Sequence, residues 1–368
     1  MILKRYTLKT FLSFYLFSVG GFIGLFLLGD FFDRVDNFFS QSTPITSLFL
    51  YYIYKIPFTL FYMAPQSVLL ATVLAVSSLS KTNEIIAMKA CGVSITRITL
   101  PIIGASVVIA LLVIANSEFI SPITSQRMNH IYYVEVRQGS SFKGIETNNV
   151  WHKSKTGAIW NVGNYDPDSL TLESINIFLI TNDNQGIEKR IYAKKAVWID
   201  RQWEFIDGTI RTFGPDGLEK TDFFEKKTFV FPEIPSDFIT IKRRPEEMSL
   251  RYMYEEILEH QAKGKDVTEK WLDLNYRLSY PFIGVVLALI GIPLSLRSSR
   301  QGGLLFSVAV NLSIGIAFSF FYAMCISMGR AGTFSPVFAT WGPIILFTAI
   351  GFYLLLTVDS EKPLPFFE

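Results

Sequence analysis

The sequence predicts an α+β membrane protein in which two groups of three transmembrane helices flank an inserted β domain. Half of the 368 residues are apolar and only 18% are charged, with 33 phenylalanines, a composition too apolar for two ordinary soluble domains. Six apolar segments are each long enough to cross a bilayer. Between the third and the fourth of them, residues 119–270 alternate between polar and apolar positions and carry turn signals.

The first group of spans precedes the β domain. Residues 11–28 carry no charge and no small-residue cleavage site follows them, so we expect a retained helix rather than a removed signal peptide. Residues 45–79 exceed what one straight span needs, and Pro57 predicts an interfacial helix that bends there into a span over residues 60–79. The third span is predicted at residues 98–115.

The second group of spans follows the β domain. Its members are predicted at residues 282–296, 304–328 and 338–358, and they contain small residues and prolines of the kind that membrane helices tolerate. The domain limits predicted from the sequence are therefore 1–118, 119–270 and 271–368.

Basic residues in the short connections predict the orientation of the spans. Nine Lys and Arg fall on the side of both termini, and three fall on the opposite side. Four further basic residues near helix ends on the opposite side reduce this excess, but long translocated domains are largely exempt from the rule; they are Arg127, Arg137, Lys270 and Arg277. Because cytoplasmic connections carry the excess of Lys and Arg, both termini are predicted to be cytoplasmic and the β domain extracytoplasmic.

The inserted domain is predicted to be mostly β, with a short helix at its end. Seven or more runs rich in Val, Ile, Phe, Trp and Tyr are separated by turns of Gly, Pro, Asn and Asp, a pattern typical of a sandwich or a jellyroll. Ser249 and Gly264 are placed to begin and end an amphipathic closing helix over about residues 250–263.

One pair of strands gives a specific register. The side chains expected to face an apolar interior are Ile191, Ala193, Ala196, Trp198 and Trp203. Those expected to stay in water are Lys194, Lys195, Asp200 and Arg201. The alternation slips by one residue at Lys194-Lys195, which we interpret as a β-bulge.

The sequence contains no motif that supports catalysis. No G-x-x-x-x-G-K-[ST] segment is present, so this chain is not a P-loop ATPase. His130, His152 and His260 are isolated from one another and from cysteine, and we interpret them as solvated or core histidines rather than metal ligands. The formal charge of +2 gives nucleic-acid binding no electrostatic support. We therefore expect a non-enzymatic chain that binds no metal, cofactor or nucleic acid.

The most informative short segment connects spans two and three, where a helix is predicted at about residues 83–91. Asn83 is placed to cap it, Glu84 suits its positive start, and Gly92 suits its end. Its apolar edge consists of Ile85 and Met88, with Cys91 as a further candidate. A helix with one acid and such an edge fits a groove on a partner protein; the alternative is an interfacial helix that lies on lipid headgroups.

The segment Asn-Glu-Ile-Ile-Ala-Met-Lys-Ala-Cys-Gly, which begins at Asn83, resembles the S-E-[LI]-[VI]-A-M-[RK]-A-[SC]-G stretch of the LptF/LptG (YjgP/YjgQ) family of lipopolysaccharide export permeases. The resemblance extends over the whole chain, through Leu3-Lys4-Arg5-Tyr6, Asp30-Phe31-Phe32-Asp33 and Gly291-Ile292-Pro293-Leu294-Ser295-Leu296-Arg297. The N-terminal segment and the single span that ends the chain are more similar to LptG than to LptF. The resemblance implies that the inserted domain is a periplasmic β-jellyroll.

The resemblance also implies a function, namely the permease subunit of an ABC transporter in the Gram-negative inner membrane. Such a permease pairs with an LptF-like paralogue and is driven by an LptB-like cytoplasmic ATPase dimer, which binds the ATP and Mg²⁺. It extracts lipopolysaccharide and passes it to a periplasmic bridge of LptC-like and LptA-like jellyroll proteins. The Glu at this position of the family lies on the coupling helix that enters the ATPase groove. The coupling residues implied here are Glu84, Ile85, Met88 and Gly92.

Candidate contacts for the lipid follow from its chemistry, since acyl chains need apolar surface and phosphates need cations. The expected wall of a lateral gate consists of Phe22 and Phe26 in span one and of Phe318 and Phe321 in span five. The basic candidates are Arg34, Lys55, Arg127 and Arg137, and the candidate in the β domain is Trp198. Asp30 stands near a position where some relatives have Lys, so the family's basic contacts do not transfer one by one.

Two other classes of protein fit parts of the pattern. A membrane-anchored periplasmic sensor or scaffold has the same topology, but the connections are too short for a cytoplasmic signalling domain. An intramembrane enzyme needs paired ionisable groups within its spans, and no pair of acids, or of an acid with His, occurs inside any predicted span. Export permease is therefore the function we expect.

Overall fold

The computed structural model describes most of the chain, and its contacts divide the chain into two compact units. The described residues are 2–39, 44–136, 145–146, 148–154, 157–166, 169–180, 186–199, 202–214, 217–238, 240–241, 245–262 and 264–359. A helical unit comprises Met1–Gln138 and Arg244–Glu368, and a β unit comprises Gly139–Arg243.

The α-helices of the described residues fall before and after the β unit. Those before it are α1 (Ile2–Phe39), α2 (Ile45–Lys81), α3 (Glu84–Ala90), α4 (Ile95–Phe119) and α5 (Ser121–His130). Those after it are α6 (Leu250–Ala262), α7 (Thr268–Ser279), α8 (Ile283–Arg330) and α9 (Pro336–Asp359). A 3₁₀ turn joins α7 to α8, and Gly303 interrupts α8 with φ 73° and ψ −168°.

Six helical stretches among the described residues are long and apolar enough to cross a membrane. They are Ile2–Asp36, Ile45–Lys81, Ile95–Phe119, Thr268–Arg297, Gly303–Arg330 and Pro336–Val358. The chain is thus a multi-pass membrane protein, and the predicted arrangement of three spans on each side of an insertion is confirmed.

Helix α2 differs from its prediction. It continues through Pro57 and Pro65 as one helix, so no separate interfacial helix is formed before Pro57. Tyr51 and Lys55 in that segment are buried, and the Asn116 side chain of α4 donates to the Pro57 carbonyl at 2.9 Å. The segment of α2 before Pro57 is therefore packed against neighbouring helices, whereas an interfacial helix would contact headgroups and water.

Helix α6 begins and ends as predicted. The Ser249 hydroxyl accepts a backbone N–H at 3.2 Å, and Gly264, with φ 69°, follows the helix end. However, the buried residues Met253 and Ile257 pack with Leu274 of α7, so α6 belongs to the helical unit and does not close the β domain. Since α5 and α6 both pack with the spans, the compact β unit is shorter than the predicted range 119–270.

The β unit consists of antiparallel strands. They are β1 (Ile145–Glu146), β2 (Asn148–Lys153), β3 (Ile159–Asp166), β4 (Thr171–Ile180), β5 (Ile187–Ile199), β6 (Gln202–Gly214), β7 (Gly217–Phe229) and β8 (Thr240–Ile241). Strands β2 to β7 form a six-stranded sheet in chain order, and β1 pairs with β8. The α+β class is confirmed, and the described strands of the large sheet have the connectivity of a meander.

One face of the large sheet forms the core of the β unit. Trp160 of β3 and Phe205 of β6 are fully buried, and their ring centroids are 6.1 Å apart. Two strands separate β3 from β6, so a flat sheet would hold these strands about 14 Å apart. Because side chains stand nearly perpendicular to a sheet, the contact indicates that the sheet curves around its apolar face.

The predicted slip in β5 is present, but its cause is not a bulge. Ala193 and Ala196 are fully buried, while Lys194 and Lys195 between them are exposed. The pairing register with both neighbouring strands is the same on either side of Lys194. Instead, Ser174 of β4 and Asp207 of β6 adopt left-handed φ values of 53° and 57°, so the irregularity lies in the strands next to Lys194.

The predicted inward set is otherwise confirmed. Its buried members are Ile191, Ala193, Ala196 and Trp203. Trp198 is half-buried and packs against the same core. Asp200 and Arg201 lie outside the described residues.

Candidate coupling and lipid-contact sites

The short helix α3 is held by hydrogen bonds at both ends. Asn83 precedes it with a left-handed φ of 57° and forms no side-chain cap, so the predicted capping role of Asn83 is wrong. The Glu84 carboxylate instead accepts the Thr82 hydroxyl at 2.8 Å and also a hydrogen bond from Tyr6 of α1. Gly92, with φ 77°, ends the helix as predicted.

The apolar edge predicted for α3 faces the chain's own core. Ile85 is 2% exposed within the main cluster of the helical unit, and Met88 is partly buried against the same cluster. These residues anchor α3 to the spans in this conformation. Ile86, which sequence reasoning did not select, is 49% exposed, and it forms the outward face of α3 together with Ala87 and Ala90.

Three charged residues of α1 and α2 form a compact charged cluster. Asp30 Oδ1 lies 2.5 Å from Lys55 Nζ and 2.9 Å from Arg34 Nε. Lys55 Nζ also donates to the Tyr51 hydroxyl at 3.1 Å, and the Arg34 guanidinium lies 4.5 Å from the Tyr132 ring centroid. The cluster carries one surplus positive charge.

The members of the charged cluster differ in accessibility. The side chains of Lys55 and Asp30 are 5% and 13% exposed, whereas that of Arg34 is 33% exposed. Lys55 therefore serves mainly to balance Asp30, because an unpaired charge within a span is costly. Among the described residues, Arg34 donates a hydrogen bond to a side chain only through Nε, and Arg34 is therefore the cluster member that an anionic group can reach.

The predicted aromatic candidates fall into two groups. Phe22 and Phe26 of α1 are half-buried, and the Phe26 ring centroid lies 5.9 Å from Lys55 Nζ. Phe318 is only 1% exposed and packs on Phe347 with centroids 4.9 Å apart. Phe321 is half-buried against the same ring. Phe318 is therefore sealed in the core and lines no gate in this conformation.

Of the remaining candidates, Arg127 forms no contact with the charged cluster among the described residues of the helical unit. Arg127 on α5 is exposed. Arg137 lies outside the described residues. Trp198 belongs to the β unit, where its ring centroid lies 4.9 Å from that of Trp203.

Sequence reasoning missed the tyrosines of the charged cluster and the role of Asp30. Asp30 and Arg34, and likewise Tyr51 and Lys55, are four residues apart, a spacing that places side chains on one helix face. That spacing could have indicated the two local pairs. The contact between Asp30 and Lys55 depends on how α1 packs on α2, which no local pattern encodes.

Taken together, six apolar helices, an inserted antiparallel sheet and a short helix that begins at the half-buried Glu84 define a multi-pass membrane protein of the α+β class. The sequence model described as lipopolysaccharide export system permease LptF/LptG matches residues 5–357, and the chain belongs to this family. That match does not separate LptG from LptF, so the likeness to LptG stays a prediction. A search of curated proteins finds no match to the chain.

Proposed function

We propose that this chain is one half of the membrane part of an ABC transporter that extracts lipopolysaccharide and passes it to a periplasmic bridge. The match of the family model to residues 5–357 carries this proposal. Its partners are an LptF-like paralogue, an LptB-like ATPase dimer, and LptC-like and LptA-like jellyroll proteins. The chain itself is not an enzyme and binds no cofactor, since ATP and Mg²⁺ are bound by the ATPase.

The proposed location is the Gram-negative inner membrane, with the β unit in the periplasm and α3 in the cytoplasm. The excess of Lys and Arg on the side of the termini supports this orientation. On this assignment the charged cluster lies at the periplasmic ends of spans one and two. Arg34 then contacts a lipid phosphate, and the half-buried Phe22 and Phe26 contact acyl chains.

The proposed coupling surface is the outward face of α3. Glu84 provides its charge, and Ile86, Ala87 and Ala90 provide a small apolar face that fits a groove. When ATP closes the ATPase dimer, movement of α3 is transmitted to the spans, because Ile85 and Met88 fix α3 to their core.

Glu84→Arg tests the proposal. A reversed charge at an interface costs several kcal/mol, so we expect the variant to lose at least tenfold in affinity for the ATPase and to stop ATP-driven lipopolysaccharide extraction from proteoliposomes. Two variants serve as controls. Tyr6→Phe removes the intramolecular hydrogen bond to Glu84 but keeps its carboxylate, and Glu255→Arg reverses an exposed acid on α6.

Both controls should keep ATPase binding and extraction. If Glu84→Arg also keeps both activities, α3 is an interfacial helix and the coupling proposal is wrong. If the unaltered complex extracts no lipopolysaccharide, the proposed function itself is wrong.

A further inference from the structure

The helical unit contains a cavity of about 740 Å³ that the proposed export path does not use. It lies between α2, the end of α4, α7 and the second half of α8. Its volume is within the range of about 300–1,000 Å³ typical of small-molecule sites. A site of this size suits one headgroup and part of a chain, rather than a glycolipid with several acyl chains.

Four tyrosines form one wall of the cavity. They are Tyr62, Tyr276, Tyr280 and Tyr322. The Tyr276 ring centroid lies 5.1 Å from that of Tyr280 and 6.0 Å from that of Tyr322. Two hydroxyls are bound within the protein, since Tyr280 donates to the Tyr62 carbonyl at 3.3 Å and Tyr322 hydrogen-bonds Ser279 at 3.0 Å. All four rings line the cavity, and aromatic rings attract organic cations.

The charges that line the cavity leave a negative surplus, with three acids against two arginines. Asp273 Oδ1 lies 3.8 Å from Arg330 Nη2, and Arg277 donates to the Met248 carbonyl. Glu246 and Glu269 form no hydrogen bond or ion pair with another residue in the part of the chain that the structure describes. A ligand with a positive group therefore finds two available carboxylates.

We propose that this cavity binds a phospholipid with a primary ammonium headgroup, of the phosphatidylethanolamine type. The ammonium group lies against Glu246, Glu269 and the tyrosine faces, and the adjacent phosphate lies towards Arg277. The apolar side of the cavity, which includes Phe58, Phe61 and Ile283, accommodates the first part of an acyl chain. This site is separate from the charged cluster and does not depend on lipopolysaccharide being the substrate.

Lipid binding to the purified full chain tests the proposal. Native mass spectrometry is used to titrate the chain with phosphatidylethanolamine and, separately, with phosphatidylglycerol, which has the phosphate and chains but no ammonium group. We expect the first lipid to bind at least tenfold more tightly. Equal binding of the two lipids by the unaltered chain would overturn the proposal whatever the variants do.

Variants then locate the site. Glu246→Gln combined with Glu269→Gln should abolish the preference for phosphatidylethanolamine, and Tyr276→Leu should reduce it severalfold, because a Leu keeps apolar bulk without a ring face. Glu255→Gln changes an acid that lies on α6 and is not among the cavity residues, and it should leave the preference unchanged. A full preference in the double variant would place the lipid elsewhere.

Discussion

A lysine within a transmembrane helix is costly unless its charge is balanced, and Lys55 is balanced inside this chain. Its ammonium group lies 2.5 Å from Asp30, and both side chains are largely buried. Removing one member of a buried pair leaves the other charge uncompensated, typically at about 3–5 kcal/mol. Here the neighbouring Arg34 also contacts Asp30, which reduces the cost of losing Lys55.

A double-mutant cycle measures this pair. We expect Asp30→Asn and Lys55→Gln to lower the free energy of unfolding non-additively, with a coupling of at least about 1 kcal/mol. The exposed pair Arg251 and Glu255, with side chains 83% and 58% exposed, should give about 0.5 kcal/mol or less. Chemical unfolding of the purified chain provides both values. Equal coupling in the two cycles would contradict the buried role of Lys55.

The charged cluster also shows what a sequence can predict about a site. Its basic members, Arg34 and Lys55, are predicted from the sequence as lipid contacts because phosphates need cations. The different roles of Arg34, which is accessible, and of Lys55, which balances Asp30, cannot be predicted in this way, because the exposure of a side chain depends on tertiary packing. The location of Phe318 also depends on tertiary packing. An aromatic side chain suits a gate and a core equally well, and the contact with Phe347 shows that Phe318 belongs to the core.

At the scale of elements, α3 divides into an anchoring edge and an outward face. Ile85→Ala should destabilise the chain by about 2–5 kcal/mol, the usual cost of emptying a buried Ile site. Ile86→Ala should change stability by no more than about 0.5 kcal/mol, yet weaken binding to the ATPase. Thermal unfolding and an affinity measurement on both variants test this division. Normal ATPase affinity in Ile86→Ala would exclude Ile86 from the coupling surface.

Element boundaries were predicted best where local chemistry fixes them. Ser249, Gly264 and Gly92 mark helix ends because a capping hydroxyl and a left-handed glycine act within a few residues. The continuity of α2 through Pro57 and the packing of α6 on α7 were missed, since both depend on distant partners. The two left-handed residues beside Lys194 could not be recognised either, because they lie in strands brought together only by the sheet.

At the scale of the whole molecule, the orientation of the spans is a prediction that native cysteines can test. Cys91 is exposed beside α3 and Cys325 is buried. A membrane-impermeant maleimide should therefore label Cys91 only after spheroplasts are opened. In a Cys91→Ser background, Lys195→Cys in the β unit should be labelled in intact spheroplasts. The reverse pattern would contradict the proposed topology.

We further propose that the β unit receives acyl chains of the lipid when ATP drives the permease, as the candidate contact at Trp198 implies. The inward face of β5 is now defined: Ala196 is fully buried, Trp198 is half-buried and Lys195 is exposed. If acyl chains enter this interior only during transport, they meet Trp198 and not Lys195. In a plain structural core the interior would stay sealed by its own packing.

Site-specific photo-crosslinking tests this claim most directly. A photoreactive residue is placed at Trp198, with one at Lys195 as the matched outward control, in the complete transporter reconstituted with lipopolysaccharide. We expect capture of lipopolysaccharide at Trp198 that requires ATP hydrolysis, and no capture at Lys195. Capture that is independent of ATP, or its absence at every position of a scan from Tyr192 to Trp203, would contradict it.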